Sequence, residues 1–103
     1  MNQLERIKHI VYEMWTNEFG MKKQKLPSLV ECKKEIECYK YKGHYLRLDS
    51  FKDTPNSEPT LVVECAADIE EAQKNTFEDA FLYNTDETVD KIIAEMKLDL
   101  PDI

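Results

Sequence analysis

Glycine is nearly absent from this chain. Only Gly20 and Gly43 occur in 103 residues. The acidic second half therefore lacks the glycine-bearing, Asp-rich loop that wraps oxygen ligands around calcium. No apolar run approaches the ~18 residues that a membrane helix needs, and the first residues do not read as a signal peptide. Cysteine is scarce and odd in number. Cys32, Cys38 and Cys65 cannot form a complete disulfide framework, and they have neither a CxxC pair nor a histidine at zinc-ligand spacing. They read as small thiols in or near strands, in a protein of the reducing cytoplasm.

Basic residues are missing where acidic ones gather. Residues 1–52 hold 11 Lys/Arg against 7 Asp/Glu, whereas residues 53–103 hold 3 against 14; the halves carry +4 and -11, which give the net -7. A fold mixes sequence segments in space, yet so large an asymmetry predicts an acidic face, and such a face speeds encounter with a basic partner. It argues against DNA or RNA as the main ligand, because affinity for phosphates needs clustered Lys and Arg.

What is present is enough for one core. With 42% hydrophobic residues in 103, the chain is expected to fold as a single domain spanning residues 1–103. Leu4, Ile7, Val11 and Met14, widened by Ile10 and Trp15, recur at helical spacing and predict a helix over about 2–19, stopped by Gly20. The basic run Met21–Leu26 reads as a solvated connection. Residues 28–34 are ambiguous: Ser28 and Glu31 have capping-box spacing, but Leu29-Val30 can begin a strand, and the strand reading is adopted.

From Glu35 to Phe51 the aromatic and aliphatic residues suit a pleated surface and predict a hairpin turning at Lys42-Gly43. Its tyrosines, Tyr39, Tyr41 and Tyr45, alternate with Lys40, Lys42 and Arg47. That pattern can stack on single-stranded nucleic acid, but it serves equally as cross-strand packing in a sheet. After the polar loop 52–59, Leu61-Val62-Val63 mark an inner strand over about 60–66. Asp68, with Glu71 three residues on, caps a helix over about 69–79, and Asn84, Thr85 and Asp86 cap another over about 86–98. The expected fold is α+β, with three or four antiparallel strands packed against the N-terminal and C-terminal helices.

No catalytic signature is present. Carboxylates near Phe77, Phe81 and Tyr83 suit a protein-binding face, in which charge surrounds aromatic anchors. The candidate partner-binding residues are Glu70, Glu71, Glu78, Asp79, Phe81, Tyr83, Asp86 and Glu87, with Phe77–Tyr83 the central stretch. His9 lies on the polar side of the first helix. His44 follows Gly43, six residues after Cys38, with no third group to orient a Cys/His pair. No catalytic residue, metal or cofactor is expected.

An N-terminal helix, a hairpin, the run VVECAADIEEAQKNTFEDAFLY and an amphipathic C-terminal helix together resemble small bacterial proteins of the immunity type, which neutralise toxins encoded beside them. The resemblance is carried chiefly by Leu61–Leu100. It implies an α+β fold, a cytoplasmic location and tight binding to a toxin domain, often a basic nuclease. It assigns no functional residue. The expectation is a non-enzymatic inhibitor with a protein partner such as a basic toxin domain, and neither nucleic acid nor membrane. The rival is an enzymatic or small-molecule-binding domain with a pocket between sheet and helices. A third reading is a homodimer formed through exposed hairpin edges.

Overall fold

The computed structural model describes residues 2–103. The first helix, α1 (Gln3–Phe19), begins where the Asn2 side chain accepts the Glu5 N–H at 2.9 Å. It ends at Gly20, whose φ of 66° is the left-handed closure that glycine adopts most easily. Ile7, Val11, Met14 and Trp15 form its buried side.

Five antiparallel strands follow in a meander, β1 (Lys22–Pro27), β2 (Glu35–Tyr41), β3 (His44–Phe51), β4 (Thr60–Ala66) and β5 (Glu78–Asn84), with spatial order equal to chain order. The α+β class, the first helix, the hairpin and the strand at 60–66 are as expected; the strand number is not. One extra strand is β1, the basic run expected to be a connection. Its lysines point into solvent from a sheet edge while Leu26 alone is buried, so the apolar alternation that announces a strand is missing. Residues 28–34 form turns and bends in place of the expected strand, with the Ser28 hydroxyl accepting the Val30 N–H at 3.1 Å.

The other extra strand is β5, which takes the last two residues of the expected 69–79 helix, Glu78 and Asp79, and continues beyond it. The helix α2 covers only Ile69–Gln73, capped by Asp68, whose carboxylate accepts the Glu71 N–H at 2.9 Å. Asn75 then takes a left-handed φ of 60°, which a helix cannot continue through. The last helix, α3 (Val89–Asp99), starts later than expected, at a Thr88 cap, because Asn84 organises a turn by accepting the Asp86 N–H on its side chain at 2.9 Å.

The sheet buries both faces. Leu46, Leu48, Leu61, Val63 and Tyr83 meet α1 and α3 on one face; Leu26, Ile36, Cys38, Tyr45 and Ala66 meet Ala72 of α2 on the other. The hairpin tyrosines are divided between them. Tyr39 stacks on Tyr12 at 4.8 Å and Tyr41 meets the edge of Phe19 at 6.2 Å, while Tyr45 is buried on the opposite side. They pack the fold and form no exposed stacking platform. The hairpin sits inside the sheet, with β1 beyond β2 and β4 beyond β3, so the edges available to a second molecule are β1 and β5 and not those of the hairpin.

One irregularity shapes this sheet. Strands β2 and β3 pair only from Tyr39↔Leu46 to Tyr41↔His44, next to the turn at Lys42 and Gly43, both at positive φ. Beyond that point Tyr12 reaches in from α1, and its hydroxyl accepts the Leu48 N–H at 3.1 Å. The side chain substitutes for the missing strand partner, and a groove of about 420 Å³ opens beside it, lined by Tyr12, Glu37, Arg47 and Asp49 among others. Tyr12→Phe leaves that amide without its partner and is expected to cost about 1–2 kcal/mol. Urea unfolding measures this; an unchanged midpoint would show that the hydroxyl contributes nothing.

Candidate functional site

The expected partner-binding residues fall in three places. Glu70 and Glu71 occupy the first turn of α2, where carboxylates favour the positive helix end. Glu78, Asp79, Phe81 and Tyr83 lie on β5, and Asp86 and Glu87 lie in the turn leading to α3. Alternation along β5 sends successive side chains to opposite faces. A bulge interrupts it, because Val63 opposes Phe81 while Glu64 opposes Asp79, which leaves Ala80 without an opposite residue.

Tyr83 is therefore a core residue and not a surface anchor. It is 3% exposed and its hydroxyl donates to Asp99 Oδ2 at 2.7 Å. Phe81 is half-buried against the same cluster. The exposed apolar residue of β5 is Leu82, 57% exposed on the other face. It was not singled out in the sequence. The run Phe81-Leu82-Tyr83 carries the signal, since three consecutive apolar residues on a strand must send one to the face opposite the other two.

Carboxylates gather at both ends of β5. At its start, Asp68, Glu71, Glu78 and Asp79 line an open groove of about 510 Å³ with His44 and Cys65. At its end, Asp53, Glu58 and Asp86 line another of about 350 Å³, beside Leu82 and Asn84. No Lys or Arg lines either groove. Glu70 and Glu87 stand apart electrostatically, because each meets a lysine one helical turn on: Lys74 at 3.0 Å and Lys91 at 3.2 Å. The Glu70 contact holds the Lys74 ammonium above its ordinary pKa. Asp53, Glu58 and Asp68 join the site through loop geometry, which residue spacing does not reveal.

Arg47 sets the start of β5. Its Nε donates to Glu64 Oε1 at 2.9 Å, its Nη1 donates to Asn75 Oδ1 at 2.6 Å, and its guanidinium lies 3.9 Å from the Phe77 ring centre. One half-buried cation thus holds β4, the left-handed turn residue and the residue before β5 together.

Cys38 and Cys65 are placed for packing, whereas Cys32, expected as a small packed thiol in or near a strand, is exposed in the turn between β1 and β2. Burial pushes Cys38 up to about 11, partly offset by Arg47, and burial followed by the nearby Glu78 raises Cys65. A thiol so shifted is protonated at neutral pH and is a poor nucleophile. His44 Nδ1 lies 3.0 Å from the Ala67 carbonyl, so its ring is engaged with backbone. Among the described residues, no three His, Cys, Asp or Glu side chains converge as metal ligands do. No described helix is long and apolar enough to cross a membrane.

Burial, then the hydrogen bond to Asp99, pushes the Tyr83 phenol well above its ordinary value. The unfolded chain releases this proton near pH ~10 while the folded chain retains it. Its contribution is therefore complete below about pH 10 and declines as pH rises beyond, in a slope to which Tyr12 and Tyr39, also raised by burial, add. Tyr83→Phe is expected to lose about 1–3 kcal/mol at neutral pH, and to show a shallower loss of stability above about pH 10. Parallel wild-type and variant curves of urea midpoint against pH would contradict this.

Comparison with models of known protein families finds no matching family, and comparisons with curated proteins and with solved structures find no match in either.

Proposed function

We propose that the chain is a non-enzymatic protein-binding inhibitor of the immunity type, neutralising a basic toxin domain through the acidic surface around β5. The observation that carries this reading is the pair of grooves at the two ends of one exposed strand, lined by carboxylates and free of Lys and Arg. Unneutralised charge of one sign on both sides of an apolar residue suits a cationic protein surface. Attraction raises the rate of encounter, and burial of Leu82 slows release. Glu71, Glu78, Asp79 and Asp86 supply the potential, with Asp53, Glu58 and Asp68 extending it. Glu70 and Glu87 contribute less because their lysines offset them, and Tyr83 supports the strand from beneath.

A small-molecule site remains the competing reading, and it rests on the groove beside Tyr12. That groove places Arg47 and Lys33 near Glu35, Glu37 and Asp49 where β2 and β3 part.

The test begins with co-purification from the native cell, followed by association kinetics with the captured protein. Raising salt from about 0.05 to 0.5 M is expected to slow association by about tenfold or more. Glu78→Lys/Asp79→Lys is expected to slow it further, while Lys23→Glu on the opposite edge is not. A rate indifferent to salt and to these substitutions would contradict the acidic-surface reading, and a small molecule whose binding is lost on Lys33→Glu, in the groove beside Tyr12 and away from β5, would favour that groove.

A further inference from the structure

The two edges of the sheet are built differently. The β1 edge carries Lys22, Lys23 and Lys25 in exposed positions and ends at Pro27, which has no N–H to donate. Lysine and proline are what an edge carries when it is to stay unpaired. The β5 edge has neither. Its inner side pairs with β4, and among the described residues no turn, loop or cap hydrogen bond engages the backbone of 78–83. An unpaired edge of seven residues, about 20 Å long at ~3.3 Å per residue, is a template for another strand.

Resting on the protein-binding reading above, we infer that β5 receives an extended, basic segment of the partner as a sixth strand of the sheet. Main-chain hydrogen bonds to Phe81–Tyr83, in the regular stretch beyond the bulge at Ala80, hold the segment, while the Asn84 carbonyl already accepts the Glu87 N–H at 3.2 Å. Leu82 takes an apolar side chain from it. Cations at its two ends reach Glu78 and Asp79 on one side and Asp53, Glu58 and Asp86 on the other. The same carboxylates repel the β5 edge of another copy. They do not repel a copy's basic β1 edge, which makes self-association the competitor that a test must separate.

The test uses the full chain, isotopically labelled, and a capped peptide of about ten residues with two lysines at each end and alternating valine and threonine between them. The control is the same peptide N-methylated at alternate backbone nitrogens, which keeps charge and removes donors. The first peptide is expected to shift the amides of 78–84 and slow exchange of the outward ones, with the methylated peptide binding about tenfold more weakly or worse. Leu82→Lys, at an exposed position the fold tolerates, is expected to abolish binding. Equal binding of both peptides overturns strand addition and leaves the acidic-surface reading standing. Failure to bind, or shifts confined to β1 or to the groove beside Tyr12, also overturns it. Concentration-dependent shifts at β5 without peptide overturn it in favour of a second copy. Failure of the inhibitor reading shows separately, in the salt dependence of the natural partner.

Discussion

The guanidinium of Arg47 determines where the acidic surface of this protein lies. An arginine on a central strand, half-buried and facing a sheet otherwise lined with apolar residues, needs its donors satisfied. Glu64 across the ladder takes Nε, and the remaining reach of the fork selects Asn75 and the face of Phe77. Asn75 is thereby held in a left-handed conformation, α2 stops after Gln73, and the chain turns back to lie beside β4 as β5. Without that anchor the carboxylates of 70–79 have the spacing of a longer amphipathic helix. With it, Glu78 and Asp79 become the charged start of an edge strand.

A second constraint works on the other half of the sheet. Tyr12, stacked on Tyr39 and set edge-on to Trp15 at 5.5 Å, occupies the space in which β2 would continue along β3. The helix α1 is thus tied to the sheet by a polar contact as well as by its apolar stripe. Because the strands lie in chain order, the basic first half and the acidic second half remain apart in the sheet plane: lysines border β1 and carboxylates border β5. Helices cross this division on both faces: on one, α3 meets α1, with Lys97 Nζ 3.0 Å from Glu18 Oε1, and on the other lies α2. The α2 helix lies over the face formed by Leu26, Ile36 and Cys38, with Gln73 Nε2 donating to the Pro27 carbonyl at 3.1 Å.

The parts legible in the sequence are those written locally. The stripe Ile7–Val11–Met14 with Gly20, the alternating aromatics of 36–51 with Lys42-Gly43, and Asp68 with Glu71 each carry their own structural reason within a few residues. The rest is set at a distance. The β1 strand is an edge whose only buried residue is Leu26, so its alternation is blank. The end of α2 is decided by Arg47, roughly thirty residues earlier. Tyr83 reads as an exposed anchor because the partner that buries its hydroxyl, Asp99, lies on another element. Of the candidate site, the charge was legible and the geometry was not. Aspartates and glutamates announce themselves in the composition, whereas Asp53 and Glu58 reach the end of β5 only because the loop after β3 folds back to it.

Hydrogen exchange along residues 74–84 tests the central claim most directly. If Arg47 ends α2 and leaves β5 as an open edge, amides directed at β4 exchange slowly and alternate with outward amides that exchange at nearly solvent rates, and Arg47→Met speeds exchange at 74–79 first. Uniform protection from Ile69 through Asp79, as in a continued helix, or protection of both sides of β5 in the isolated chain, would contradict it.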